Sequence, residues 1–449
     1  MSLPESTTVL IVGAGPSGIV TALSLIHHGC RDFVIVDTVL QGQNTSRALV
    51  IQSATLEALD TIGCAETMVE SGWKSNGLSF RNRSSNSDLF YADFTSLSKY
   101  TPYPHVLIIS QTTTERVLEE KLESFGVSVI RPYKVIGMQR NKQENDVTDV
   151  SFEDGRVIKA RYVIGADGAR SAVRTISGIG FADPNELDRD LSSTNMLSQM
   201  VIADIYLTDT SLVPDNHTVS VMSLDTFFMI SPIPREIDEV KGMLYRISCG
   251  VPLEMGTPPH APPKEYLQNI LDKFGPKPLK AASSFEISEV LWSTRFRTHS
   301  AIADTFFKRL GSDTDMDAKG GGGILLVGDA AHIHSPAGGQ GMNLGLRDAV
   351  AMGEAMSAHI EASQTSPPTD DHILRDLADS RHATALEVIA MTKNILGFYG
   401  LPRNPTWNKF MWWCPLSLGS IRDYTLWMAG RFRFVRESAA WQMSGLGRR

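Results

Sequence analysis

A Rossmann-like α/β domain joined to a separate antiparallel β-sheet domain and a helical C-terminal region is the fold class this sequence predicts, on three observations. An apolar run at 8–12 feeds Gly13-Ala14-Gly15-Pro16-Ser17-Gly18 and then a small-residue helical pattern, the order strand, tight turn, helix. Two later stretches, 162–174 and 324–350, repeat a strand that ends in a glycine turn bearing an acid, Asp167 and Asp329. Between 199 and 292 the apolar period shortens to about two, which is the signature of strands.

Composition bounds the rest. The 449 residues, 42% hydrophobic and 20% charged, are enough to build two or three domains. A net charge of -8 and a pI near 5.8 argue against nucleic acid as a partner, because phosphate binding calls for a basic surface. Cys30, Cys64, Cys249 and Cys414 lack Cys-x-x-Cys spacing, so neither a metal frame nor a disulfide framework is expected, and a reduced, cytoplasmic setting fits. Residues 1–7 alone precede the first strand; neither a cleaved leader nor a membrane span is expected.

Taken in order, the run at 33–36 ends at Asp37, where a carboxylate can accept from ribose hydroxyls. With strand, helix and acid in place, the first glycine motif reads as a dinucleotide site. Arg47-Ala48 precedes a helix through Thr55 and Leu59 that stops near Gly63, and 77–94 reads as a strand pair leaving the nucleotide domain. A strand at 106–109 leads to Gln111, positioned to cap a helix at 112–125. Strand signals at 135–138, 147–152 and 157–160 form a meander, and 162–164 opens the second glycine joint. Runs at 201–207, 218–223, 226–230, 243–249 and 286–296 supply the antiparallel sheet, broken by prolines and a helix near 265–274.

A helix is expected at 301–310, followed by a polar, glycine-rich loop at 311–323. In the third joint a strand at 324–327 breaks at Gly328-Asp329; Pro336, Gly338, Gly339 and Gly341 hold the turn open, and a helix runs from about Met342 to 360. Its exposed first amides suit a group that carries or develops negative charge. Another helix spans 373–396. The aromatic tail, with Trp407, Phe410, Met411, Trp412, Trp413, Trp427 and Phe432 near Arg431, Arg433 and Arg436, reads as packing against the body, with weak membrane-surface or partner contact as the alternative. The expected domains are 1–75, 101–182 and 301–362 for the nucleotide, 76–100 and 183–300 for substrate, and 363–449 for the helical region.

Three strand ends aimed at one long ligand with a nucleotide half suggest FAD. Across 9–360 the motifs Gly13 to Gly18, Arg47-Ala48, Gln111, Asp167-Gly168 and Gly328-Asp329 follow one another in the order in which the chain resembles a known family. These are the FAD-dependent aromatic hydroxylases, group A flavoprotein monooxygenases of the para-hydroxybenzoate hydroxylase type. The resemblance implies Gly13, Gly15 and Gly18 at the FAD pyrophosphate, Asp37 on the adenosine ribose, and Arg47 and Gln111 on the ribityl-diphosphate side. It also implies Asp167 in FAD and NAD(P)H binding, Asp329 on the ribityl chain, the Gly341-Met342-Asn343 backbone at the flavin pyrimidine end, and Pro336 beside the reacting face.

The activity so implied is hydroxylation of a phenolic or related aromatic small molecule with O2 and NADPH or NADH, through a flavin C4a-hydroperoxide, by a monomer or homodimer. That chemistry needs a pocket that excludes water, for which Met222, Phe228, Arg246 and Trp292 are candidate lining residues. His105 is the candidate group favouring phenolate, with Tyr103 and His299 behind it. Asp329, His332 and His334 read as part of a flavin turn and not as a metal site, because no further Cys or His completes a frame. Ala54 departs from the family, which carries an arginine there. Epoxidation or Baeyer–Villiger oxidation on the same scaffold, and a flavin-binding protein without turnover, remain alternatives.

Overall fold

Strand β1 (Ser6–Val12) is an interior strand of the first sheet because it is apolar on both faces: Val9, Leu10 and Ile11 are fully buried. The computed structural model describes residues 3–40, 48–184, 199–208, 217–223, 226–233, 243–277, 285–297, 299–311, 321–365, 370–400 and 418–448. After β1 come α1 (Pro16–His27), β2 (Phe33–Val36), β3 (Val50–Ile51), α2 (Ser53–Thr61), α3 (Ala65–Ser71), β4 (Trp73–Ser75), β5 (Gly77–Asn82), β6 (Asp88–Asp93), β7 (Val106–Ile108) and α4 (Gln111–Ser124). The middle of the chain supplies β8 (Val135–Arg140), β9 (Thr148–Phe152), β10 (Val157–Gly165), α5 (Ala172–Ile176), β11 (Phe181–Ala182), β12 (Gln199–Leu207), β13 (His217–Met222), β14 (Phe227–Pro232) and β15 (Met243–Gly250). Then follow α6 (Lys264–Phe274), β16 (Ile287–Arg297), β17 (Ala301–Ala303), β18 (Phe307–Arg309), β19 (Gly323–Leu326), β20 (His332–Ile333), α7 (Gly341–Thr365) and α8 (His372–Gly400).

The first sheet has the order β18-β19-β10-β1-β2, with β9 and β8 continuing from β10. Strand β1 pairs in parallel with β2 and β10, and β10 in parallel with β19. The three glycine joints therefore leave the carboxyl ends of three adjacent strands, where open α/β sheets take ligands. Strand β10 is one continuous element where the sequence shows two runs: residues 157–160 pair antiparallel with β9, and Tyr162 to Gly165 pair in parallel with β19. Helix α7 lies close on α1, since a Cβ at Gly353 would sit 2.4 Å from the Ser24 Cβ. The Ser24 hydroxyl donates to the Val350 carbonyl at 2.7 Å.

The second sheet runs β16-β12-β15-β14-β13-β5-β6, antiparallel except where β5 lies parallel to β13. Side chains alternate between its faces. Val201, Ala203, Val219, Phe228, Ile230 and Ile247 cover one face and pack against Leu267, Ile270 and Leu271 of α6. The opposite face looks towards the nucleotide domain.

Three expectations are corrected. Residues 301–310 are not a helix: Ala301 and Ile302 pair with Ile333 and His332, and Phe307 pairs with Leu325. Pairing with neighbouring strands overrides the helical spacing of their apolar residues. Gln111 is not the cap of α4, because Ser110 takes that place and accepts from the Thr113 amide. Helix α3 stands where no element is expected from the sequence.

Near the C terminus, helices Leu418–Ala429 and Arg433–Met443 pack on β6. The Trp441 ring lies 5.1 Å from Tyr100, edge to face. Buried Arg422 donates to the Tyr399 and Ser223 carbonyls. This part of the tail packs against the body; Trp407, Phe410, Met411, Trp412 and Trp413 lie outside the described residues. Among the described residues no helix is long and apolar enough to cross a membrane.

Candidate functional site

Three glycines of the first joint do three different things. Gly13 has φ +106°, and a Cβ there would lie 2.3 Å from the Ala166 carbonyl oxygen, so the first joint touches the second. A Cβ at Gly18 would meet the Gly13 carbonyl oxygen at 1.9 Å, which fixes how close α1 sits to the turn. Gly15 faces open space, with no atom within 4 Å of its Cβ position. Of the three glycines, this one leaves room for a ligand to approach the backbone. Asp37 closes the joint from the end of β2, accepting from the Ala14 amide at 2.6 Å and the Val39 amide at 2.7 Å.

In the second joint one Asp167 oxygen caps α5 by accepting from the Ala172 and Val173 amides at 2.7 and 3.2 Å. Its other oxygen, Oδ1, is buried and has no protein partner among the described residues. Arg174 donates to the Ala330 and Ala169 carbonyls, tying the second joint to the third.

The third joint bends at Gly328, φ +62°, against the Ser17 hydroxyl. Asp329 follows, exposed at the cavity wall. Helix α7 starts at Gly341, so its first amides emerge where Gly341 and Met342 line the cavity. The Asn343 side chain turns away and acts as a clamp: it donates to the Val50 and Gly339 carbonyls and accepts from the Gln52 amide at 2.8 Å.

Two histidines lie beside this turn. His332 Nε2 lies 2.8 Å from Asp348, whose other oxygen is 2.7 Å from Arg381. His334 donates through Nδ1 to the Ser335 carbonyl at 2.9 Å, since a carbonyl only accepts. Its Nε2 therefore carries a lone pair, and burial pushes its pKa down to about 4. Sequence reasoning assigned His334 to the turn but not to the cavity, which it lines.

One cavity of about 720 Å³ reaches all three joints. Gly15, Pro16 and Ser17 line one end, Ala166, Gly168 and Ala169 the second joint, and Asp329 with Pro336 to Gly339 the third. Gln111 lines it beside Ala48, with its amide nitrogen donating to Glu115 at 2.8 Å; Arg47 lies outside the described residues. Open space at Gly15 and the helix-start amides suit a long dinucleotide whose phosphates need amide donors, while Asp167 itself does not line the cavity. The residues present fit FAD.

The far wall is the face of the second sheet that looks away from α6: Met200 and Ile202 of β12, Phe227 and Met229 of β14, and Arg246 and Ser248 of β15. Of the four expected lining residues, Arg246 is there. Phe228 is on the opposite face, buried against α6, because its neighbours Phe227 and Met229 take the cavity side. Met222 packs with Leu89, Met200, Phe227 and Tyr399 and does not reach the cavity. Trp292 stands behind Arg246, whose guanidinium lies 5.5 Å from its ring centre. His105 and Tyr103 lie off the cavity; burial lowers His105 to about 4, and burial with a hydrogen bond to Asp60 raises Tyr103 to about 12. His299 is exposed and at the cavity wall.

Comparison with known proteins agrees with this geometry. The model of the FAD binding domain family matches residues 6–367. Pentachlorophenol 4-monooxygenase of Sphingobium chlorophenolicum is 28% identical over 416 residues, covering 89% of this chain and 68% of that protein. The 12-dehydrotetracycline 5-monooxygenase/anhydrotetracycline 6-monooxygenase of Streptomyces rimosus is 28% identical over 369 residues, covering 80% of this chain and 64% of that protein. Among solved structures, an anhydrotetracycline hydroxylase from Streptomyces rimosus superposes with a TM-score of 0.69 at 26% identity, over 99% of this chain and 77% of that one. A p-nitrophenol 4-monooxygenase from Pseudomonas putida, at 21% identity, shares the fold with a TM-score of 0.75 over 99% of this chain and all of that one.

Proposed function

We propose, because this chain belongs to the FAD binding domain family and with it to the flavin-dependent aromatic hydroxylases, that it uses NAD(P)H and O2 to hydroxylate a phenolic or related aromatic small molecule. The observation that carries this reading is the single cavity that touches all three glycine joints on one side and a largely apolar sheet face on the other. Bound FAD would supply acceptance of hydride from the nicotinamide and activation of dioxygen.

The chain's own residues bind, orient and exclude water. Gly15 would admit the pyrophosphate, and Asp37 and Asp329 would take hydroxyls of the ribose and the ribityl chain. The first amides of α7 would stabilise negative charge on a flavin bound there. Pro336 and the turn it opens line the cavity and would border the bound ring. Met200, Ile202, Phe227 and Met229 hold the arene against it and keep the reacting face dry.

The test is direct. Purified protein should carry FAD, and a screen of phenols should find one that stimulates NADPH or NADH oxidation with a product heavier by one oxygen atom. Protein that binds FAD but shows no aromatic-stimulated turnover would sink this reading and favour a non-catalytic flavoprotein.

A further inference from the structure

The cavity face of the second sheet is not uniformly apolar. One row of residues crosses it perpendicular to the strands: Trp292, Asp204, Arg246, Ser231 and Thr218. Asp204 is in register with both Trp292 and Arg246, and Arg246 with Ser231. The Thr218 and Ser231 hydroxyls meet at 2.9 Å. The next row along the same face mixes Ile202 and Met229 with Thr294, Ser248 and Ser220, and the one after it, with Phe296, Met200, Phe227 and Met222, is apolar. A ring laid over Met200, Phe227 and Ile202 would direct a polar substituent towards the row that carries Arg246 and Asp204.

On that row the Arg246 guanidinium meets a counter-charge in Asp204. Arg246 and Asp204 are 4% and 8% exposed, and they form a bidentate pair, Nε to Oδ1 at 2.6 Å and Nη2 to Oδ2 at 2.7 Å. Arg246 Nη1 also donates to the Ala48 carbonyl at 3.3 Å. Among the described residues, the other arginine at the cavity wall, Arg295, is in register with Val201 of the opposite face, and its guanidinium donates to the Pro258 carbonyl at 3.0 Å. A carboxylate set against the Arg246–Asp204 pair would give that buried group of three one net negative charge, and Asp204 would repel it.

We propose that Asp204 is a specificity-determining residue: by neutralising Arg246 it selects uncharged arenes bearing hydroxyl or carbonyl groups and rejects aromatic carboxylates. This rests on the aromatic-hydroxylase reading and names the substrate class within it. Asp204 acts through Arg246, so its effect falls on the choice of ligand and not on FAD.

The experiment uses the FAD-loaded full chain and matched pairs, hydroxybenzoates and their methyl esters, titrated at neutral pH with the flavin absorbance change as readout. Wild-type protein should bind the ester of a pair roughly tenfold more tightly than the carboxylate. Asp204→Asn keeps the shape but frees the Arg246 charge, and should move that ratio towards the carboxylate by tenfold or more. The double variant Asp204→Asn, Arg246→Gln restores neutrality and should restore preference for the ester, including where the single variant fails to fold. A wild-type preference for carboxylates, or an unchanged ratio in a folded, FAD-loaded Asp204→Asn, overturns the inference. Failure of every pair to perturb bound FAD would instead overturn the aromatic-substrate reading beneath it.

Discussion

Gly15 and Gly18, three residues apart, should fail in opposite ways when each gains a single methyl group. Gly18→Ala would put its Cβ 1.9 Å from the Gly13 carbonyl oxygen, 3.0 Å from the Gly13 carbonyl carbon and 3.3 Å from the Ala166 Cβ. All are backbone or short side-chain atoms, so α1 must move away from the turn by about 1 Å, and the tight helix–turn packing is lost. Gly15→Ala meets no protein atom within 4 Å. Its backbone, φ -72° and ψ 179°, suits alanine, so stability should hold or rise by about 0.4–1 kcal/mol as the unfolded chain loses freedom. The methyl would nonetheless occupy the approach to the pyrophosphate. Losing one or two hydrogen bonds to a charged group, at about 1.5–3 kcal/mol each, weakens FAD by roughly tenfold to a thousandfold or more. Thermal unfolding of the FAD-free protein and FAD titration separate the two. A Gly15→Ala protein that binds FAD like the wild type would refute the reasoning, because no ligand would then approach at Gly15.

Other perturbations have equally definite outcomes. Asn343→Ala removes the clamp on Val50, Gln52 and Gly339 and should cost about 2–4 kcal/mol, read as a lower denaturant midpoint together with weaker FAD binding. Asp329→Ala should lose or loosen FAD while the fold persists, measured as flavin content after gel filtration; full flavin content and activity would contradict the assignment. His105 and His334 are both held neutral by burial, with pKa values lowered from 6.5 to about 4. The unfolded chain therefore binds more protons between those values. Stability should be full above about pH 6.5 and fall as pH drops towards 4; His105→Phe should flatten that fall in melting curves taken across the range.

Much of the nucleotide side was legible because its signals are local. Gly13, Asp37 and Gly328-Asp329 announce themselves through strand–turn–helix order within a few tens of residues. The substrate side depends on contacts that periodicity does not encode. Residues 227–230 are apolar on both faces, so alternation alone does not say whether Phe227 or Phe228 meets the cavity. Asp204 and Arg246 become partners only through the register of β12 with β15, 42 residues apart in sequence. The expected helix at 301–310 fails for the same reason, since its short strands exist by pairing with β19 and β20. Asn343 was expected through its backbone, and its side chain proves to be a clamp that only the folded turn creates.

The central claim is that the cavity brings an arene to a flavin that passes it one atom of dioxygen. Turnover of the best aromatic substrate under isotopically labelled dioxygen, with mass spectrometry of the product, tests it most directly. Incorporation of one labelled oxygen atom, with NAD(P)H consumed in equal amount to product, is the expected result. A product carrying oxygen from water, or labelled hydrogen peroxide with the arene unchanged, would contradict it.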